Sequence, residues 1–77
     1  MLPIEFKLTC EFVELNDLLK LTGICDSGGA GKALVAAGKV QVDGKVERRK
    51  TCKIRAGQVV EAGDVRISCT PPKIEQK

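Results

Sequence analysis

Residues 27–46 have the sequence SGGAGKALVAAGKVQVDGKV, and they decide the fold because they join a helix to a β-hairpin. Ser27 is a favoured residue at a helix N-terminus, where its hydroxyl accepts a backbone hydrogen bond, and Gly38 is placed to end the helix. Asp43-Gly44 then supplies the positive φ angles of a type I′ turn between two short strands. The stretch therefore predicts a helix from about Ser27 to Ala37, followed directly by a tight hairpin.

The segments on either side of this stretch add a second helix and further short strands. Upstream, helical spacing of apolar residues runs from Leu15 to Thr22, and residues 4–8 alternate between apolar and charged side chains as a half-buried strand does. Downstream, strands are predicted at Val59-Val60 and from Val65 to Cys69. These elements predict an α+β fold in which two short helices pack on a small mixed or antiparallel sheet of about four to five short strands.

The chain length predicts a single domain with little room for an enclosed active site. A domain of 77 residues buries only about 60% of the surface that its unfolded chain exposes. We expect the domain to cover residues 1–70 and the polar residues 71–77 to form a flexible tail. No apolar run approaches the roughly 20 residues of a membrane-spanning helix, and the first ten residues lack a secretion signal. A cytoplasmic location is therefore predicted.

Positive charge is concentrated in one part of the chain. Residues 32–55 contain eight basic and two acidic residues, a net charge of +6, whereas the remainder contains five basic and eight acidic residues, a net charge of −3. A one-sided cationic surface on a small domain most often binds polyphosphate, and nucleic acid is the commonest such partner. The alternative is a protein-interaction adaptor whose basic face docks an acidic protein partner.

The glycine-rich residues 27–32 do not match a nucleotide-binding loop. The first glycine and the final Ser or Thr that a P-loop requires around Gly31-Lys32 are absent. The backbone N–H groups of Ser27, Gly28 and Gly29 at a helix N-terminus still offer a phosphate site, with the lysine one turn further on. The other interpretation is that these glycines only allow close packing between the two helices.

A basic run, Arg48-Arg49-Lys50, follows the predicted hairpin, and Lys53 comes shortly after it. Charged runs are usually solvated, but two adjacent arginines cannot both occupy one polar face of a strand. The arginine guanidinium is a planar fork that binds phosphate in a bidentate manner, which solubility alone does not require. The run therefore favours phosphate binding.

Several of these motifs occur in an order that is typical of a known family. In chain order they are Leu15–Lys20, Ser27–Gly29, Lys32, Gly38–Gly44, Arg48-Arg49 and Gly57–Val60. Together they resemble the S-four-type RNA-binding domain, which contains the αL motif, over roughly residues 12–61. Within that domain type, the chain is most similar to the stand-alone bacterial YbcJ-like family of ribosome-associated proteins.

The resemblance implies an RNA-facing surface built from the two helices and the hairpin. It implies binding to structured RNA, either ribosomal or transfer RNA, and association with the ribosome. It also extends the basic surface back to the first helix. The residues expected to contact RNA are Lys20, Ser27, Gly28, Gly29, Lys32, Arg48, Arg49, Lys50 and Lys53.

Metal, redox and catalytic chemistry are not predicted. The four cysteines, at positions 10, 25, 52 and 69, form no Cys-x-x-Cys pair, and the chain has no histidine, which removes the usual zinc and redox signatures. We interpret the cysteines as reduced, small hydrophobic residues. Ser27 has no histidine partner that could activate it. The sequence thus predicts no enzyme activity, catalytic residue, metal, cofactor or small-molecule substrate.

The aromatic residues are Phe6 and Phe12 alone. Both occur in apolar patterns, and the burial tendency of phenylalanine places them in the core. Stacking of RNA bases on aromatic side chains is therefore disfavoured. Recognition is predicted to depend on RNA shape and on phosphate positions.

Overall fold

A computed structural model describes residues 2–71. Most of the expected flexible tail, residues 72–77, lies outside the described residues. The helices are α1 (Leu15–Leu21) and α2 (Gly28–Ala36). The strands are β1 (Leu2–Lys7), β2 (Phe12–Glu14), β3 (Val40–Val42), β4 (Lys45–Val46), β5 (Lys53–Arg55), β6 (Val59–Ala62) and β7 (Val65–Thr70).

The strands form a five-stranded mixed sheet and a separate two-stranded ribbon. In the larger sheet the order is β1-β7-β6-β3-β4, with β1 parallel to β7 and the other neighbours antiparallel. The ribbon pairs β2 with β5 in antiparallel fashion. The predicted α+β fold with a mixed sheet is confirmed. The ribbon was not predicted, because its two strands are only three residues long and lie about forty residues apart.

The predicted hairpin is present and is tied to the rest of the sheet by its turn. Asp43 and Gly44 have φ angles of 53° and 86°, as a type I′ turn requires. The Asp43 carboxylate accepts hydrogen bonds from the backbone N–H of Val59 (3.0 Å) and from Nε2 of Gln58 (3.2 Å). These bonds stabilise the charged form and lower the pKa of Asp43. The turn residue therefore also anchors β6.

The core lies between the inner faces of the helices and the larger sheet. Its fully buried members are Leu15, Leu18, Leu19, Val35, Val40, Ile54, Val60 and Ile67. The two helices approach closely at Gly31, where a Cβ atom would lie only 2.7 Å from the backbone oxygen of Asn16. The close-packing interpretation is therefore correct for Gly31. It does not explain Gly28 or Gly29, where a Cβ atom would make only ordinary contacts.

The cysteines are free thiols in different environments. Cys69 is buried, Cys25 and Cys52 are half-buried against the core, and Cys10 is exposed. Burial raises the thiol pKa of the first three. The interpretation as small hydrophobic residues therefore holds for three of the four cysteines and is wrong for Cys10.

Candidate nucleic-acid interface

The N-terminus of α2 presents free backbone N–H groups. Ser27 caps the helix as predicted, because its hydroxyl oxygen accepts a hydrogen bond from the N–H of Ala30 (3.1 Å) and its carbonyl accepts from Gly31 (3.0 Å). Among the described residues, the N–H groups of Gly28 and Gly29 have no hydrogen-bond partner. Free N–H groups at the positive end of the helix dipole favour an anion such as phosphate.

Two α1 side chains flank this terminus. A Cβ atom at Gly28 would lie 3.4 Å from Nδ2 of Asn16 and 3.8 Å from Oδ1 of Asp17. The Asp17 carboxylate therefore competes with a phosphate for the dipole of α2, a contact that sequence reasoning missed. Asn16 is buried, and its Oδ1 atom has no hydrogen-bond partner within the described part of the chain.

The segment that links β4 to β5 is held in one conformation by hydrogen bonds. The N–H of Glu47 donates to the carbonyl of Val40 (3.0 Å), which extends the hairpin by one residue. The N–H of Arg49 donates to Oε2 of Glu47 (3.0 Å), and the N–H of Cys52 donates to the carbonyl of Arg49 (3.2 Å). The basic run therefore has a backbone held by hydrogen bonds, while its side chains are exposed to solvent.

The same segment also caps the N-terminus of α1. Carbonyl oxygens of Lys50 and Cys52 accept hydrogen bonds from the N–H groups of Asn16 (3.1 Å) and Leu15 (2.8 Å). Glu14, which precedes the helix, makes no side-chain cap. The backbone of Lys50 is consequently fixed beside Asn16, and so close to the N-terminus of α2.

Arg48 lies at the opposite end of α2. Its guanidinium packs on Gly38, where a Cβ atom would come within 2.9 Å of Nη1 and 3.0 Å of Nη2. Gly38 has a φ angle of +76° and follows the helix C-terminus, whose partial negative charge attracts a cation. Ten residues at 1.5 Å per residue place Arg48 roughly 15 Å from the N-terminus of α2. The two ends of the helix are therefore too far apart to share a single phosphate.

Arg49 is already paired with a carboxylate. Its Nε and Nη2 atoms donate to Oε2 (2.9 Å) and Oε1 (3.2 Å) of Glu47. This pair lowers the pKa of Glu47 to about 2 and raises that of Arg49. Glu47 thus occupies the Nε–Nη2 edge of the guanidinium, which leaves Nη1 and the remaining Nη2 hydrogen able to donate to a phosphate.

Lys53 lies on the ribbon, where it meets Phe12. Its Nζ atom is 5.0 Å from the centroid of the Phe12 ring, and Cζ of Arg55 is 5.6 Å from the same centroid. Val13 and Ile54 pair on the other face of the ribbon and point into the core. The prediction that Phe12 belongs to the core was therefore wrong, because the strand turns Val13 inward and Phe12 outward. Phe6 does pack against the core, as predicted.

The residues predicted from sequence occupy three places on the molecule. At the paired helix starts, Gly28, Gly29 and the Lys50 backbone come together. Lys20 lies one turn after Asn16 on the same side of α1, and Lys32 lies one turn after Gly28 on the same side of α2. Both lysines are exposed. Arg48 stands apart at the end of α2, and Lys53 stands apart on the ribbon. Phe12 and Arg55 were missed, because strands of three residues are too short for alternation to indicate which face points outward.

Neither a metal site nor a membrane-spanning helix is found within the described part of the chain. Between residues 2 and 71, no three His, Cys, Asp or Glu residues cluster as metal ligands. No helix in that range is long and apolar enough to cross a membrane.

Comparison with known proteins supports the resemblance found in the sequence. A family model described as S4 domain matches residues 6–69. YbcJ of Escherichia coli (strain K12), whose assigned name calls it a candidate RNA-binding protein, is 60% identical over 48 residues, which cover 62% of this chain and 69% of that protein. YbcJ of Shigella flexneri matches with the same identity and coverage. A solution structure of E. coli YbcJ, described as revealing an αL motif involved in RNA binding, matches with a TM-score of 0.67 and 46% identity, over 86% of this chain and 85% of that chain.

Proposed function

This chain belongs to the S4 domain family, and from that premise we propose that it binds structured RNA, either ribosomal or transfer RNA. We further propose that it acts in the cytoplasm in association with the ribosome. Similar proteins carry RNA binding in their names or descriptions. The observation that carries the proposal is the pair of free N–H donors at Gly28 and Gly29. Exposed lysines, Lys20 and Lys32, lie about one helical turn further along each helix.

The geometry supports recognition through several phosphates. One phosphate binds the N–H groups at the start of α2, where Lys20, Lys32 and Lys50 supply positive charge. Arg48 binds a second phosphate at the other end of the helix. Phosphate contacts orient a protein on nucleic acid without reading its sequence. The paired strands of an RNA helix are recognised largely by such shape and phosphate contacts.

Binding proceeds without turnover in this proposal. The chain has no histidine, and the half-buried and buried thiols have raised pKa values, which disfavour the nucleophilic thiolate form. The domain therefore holds RNA and does not cleave or modify it.

A salt titration of RNA binding tests the proposal. Affinity for a structured RNA such as a transfer RNA is measured by filter binding between about 50 and 200 mM salt for the wild type and for the double variant Arg48→Ala plus Lys50→Ala. Removal of each phosphate-binding side chain should reduce the slope of log K against log salt by about 0.7 to 0.9. The matched control is Arg66→Ala, since Arg66 is exposed on β7 and lies 3.8 Å from Glu61. An unchanged slope in the double variant overturns the proposal.

The molecule that co-purifies with the protein distinguishes the adaptor alternative from RNA binding. We expect absorbance at 260 nm that ribonuclease removes. If an acidic protein stays bound after ribonuclease treatment and no RNA was present, the basic surface is a protein-docking face and the RNA proposal is wrong.

A further inference from the structure

The outer face of the β2–β5 ribbon carries an aromatic ring between two cations. Phe12 and Arg55 are direct partners in the strand register, and Lys53 lies two residues from Arg55 on the same face, opposite Glu14. The opposite face contributes Val13 and Ile54 to the core, which fixes the direction in which the ring points. The ring is half-buried and does not pack against the core.

The two cations are available to a ligand. Within residues 2–71, neither Lys53 nor Arg55 has a carboxylate oxygen within 4.0 Å. Their contacts with the ring are cation–π contacts of exposed side chains, which are weak. The backbone beneath them is firmly held, because the N–H of Arg55 donates to Oε1 of Gln58 (2.7 Å), whose Nε2 donates to Asp43. The backbone of this face is thus held in place, whereas the charged side chains of Lys53 and Arg55 can move.

We propose that this face binds one unpaired nucleotide, with its base stacked on Phe12 and its phosphate held by Lys53 and Arg55. The proposal rests on the proposed RNA-binding function and adds a single-stranded element to the RNA that is recognised. A base offers a flat π surface to the ring, and its phosphate offers a negative charge to the two cations. The base therefore replaces a weak cation–π contact on the Phe12 ring, and the displaced Lys53 or Arg55 side chain moves outward to bind the phosphate.

The position of the face relative to the rest of the basic surface favours RNA over an acidic protein. Lys53 directly follows Cys52, the residue whose carbonyl caps α1, so the ribbon comes immediately after the basic run in the chain. An acidic peptide would pair with the two cations but would gain little from an aromatic ring. A nucleotide uses all three side chains. Bases in a duplex are already stacked on their neighbours, so the nucleotide must come from a loop, a bulge or an end.

Two RNAs and one substitution test the proposal. The RNAs are a hairpin with a single-stranded loop and a blunt duplex of similar length, and the substitution is Phe12→Leu, which keeps an apolar side chain on the strand. Loss of base stacking should weaken binding of the loop RNA by about 5- to 150-fold and leave binding of the duplex unchanged. Equal affinity of the variant and the wild type for the loop RNA overturns the stacking proposal, and so does an equal loss for both RNAs. If the wild type binds neither RNA, it is the proposed function that fails.

Fluorescence provides a second readout that does not depend on affinity. The chain contains no tryptophan, so Phe12→Trp places a single reporter on the ribbon and preserves an aromatic ring. We expect the loop RNA to quench its emission, because the base stacks on the indole. Leu2→Trp is the control, since Leu2 is 64% exposed and lies on the edge strand β1 of the other sheet. Equal quenching of the two reporters contradicts the proposal.

Discussion

Substitution of Gly38 by alanine should affect stability and RNA binding by two separable routes. The backbone at Gly38 has a φ angle of +76°, which an L-residue adopts at a cost of about 1–2 kcal/mol. The new Cβ atom would also lie 2.9 Å from Nη1 of Arg48, whereas ordinary contacts begin at 3.4 Å. The guanidinium must therefore move by at least about half an ångström. Because the guanidinium is the end of a flexible side chain, this movement should cost little stability but should disturb the proposed interaction of Arg48 with a phosphate.

The expected effects can be given magnitudes. Gly38→Ala should lower the free energy of unfolding by about 1–2 kcal/mol, and each kcal/mol corresponds to roughly 4–8 °C in Tm for a domain of this size. A hydrogen bond to a charged group contributes about 1.5–3 kcal/mol, so complete removal of the interaction between Arg48 and phosphate weakens RNA binding about tenfold or more. Partial displacement should weaken it by less than Arg48→Ala does. Urea denaturation and filter binding measure the two effects.

Gly23 supplies a matched control for the strain. It follows α1 as Gly38 follows α2, its φ angle is +84°, and no atom lies within 4 Å of where its Cβ would be. Gly23→Ala should therefore lose similar stability and keep its affinity for RNA. The reasoning is refuted if both variants bind RNA equally well, or if Gly38→Ala still weakens binding when Arg48 has already been replaced by alanine.

Three further predictions concern stability. Glu47→Gln should be less stable than the wild type at pH 7, and this difference in stability should shrink as pH falls from about 4.5 to about 2. The reason is that Glu47, with its lowered pKa, stabilises the folded state only while its carboxylate is charged. Denaturation at pH 7 and pH 3 measures the difference, and a constant difference would contradict the prediction. Gly31→Ala should destabilise the protein by about 1 kcal/mol in urea denaturation, since the clash with the Asn16 carbonyl outweighs the gain in helix propensity. Ser27→Ala should cost about 1 kcal/mol through loss of the α2 cap, and Ser27→Asp should restore it.

The elements that local sequence patterns describe were predicted well. The capping hydroxyl of Ser27, the helix that ends before Gly38 and the Asp43-Gly44 turn each depend on residues within a few positions of one another. Such signals act through backbone geometry and short-range hydrogen bonds, so they can be recognised in the sequence before the fold is known. The net charge of residues 32–55 can also be obtained from the sequence, because it only requires counting charged residues.

The contacts that bring distant segments together could not be predicted in this way. The ribbon joins residues 12–14 to residues 53–55, and three-residue strands are too short for alternation to indicate a face. The inward side of that ribbon was settled by Val13 and Ile54 filling the core, which left Phe12 outside with two cations.

By itself, the sequence determined the helices, the hairpin, the family resemblance and the concentration of positive charge. Only the tertiary structure decided how that charge is distributed and which of it is free. In the folded protein, Arg48 lies a helix length away from the N-termini of the helices, and Asp17 lies beside Gly28. Arg49 forms an ion pair with Glu47. The physical reason is that net charge adds along a chain, whereas the charge a ligand meets depends on which groups packing has brought within a few ångströms of each other.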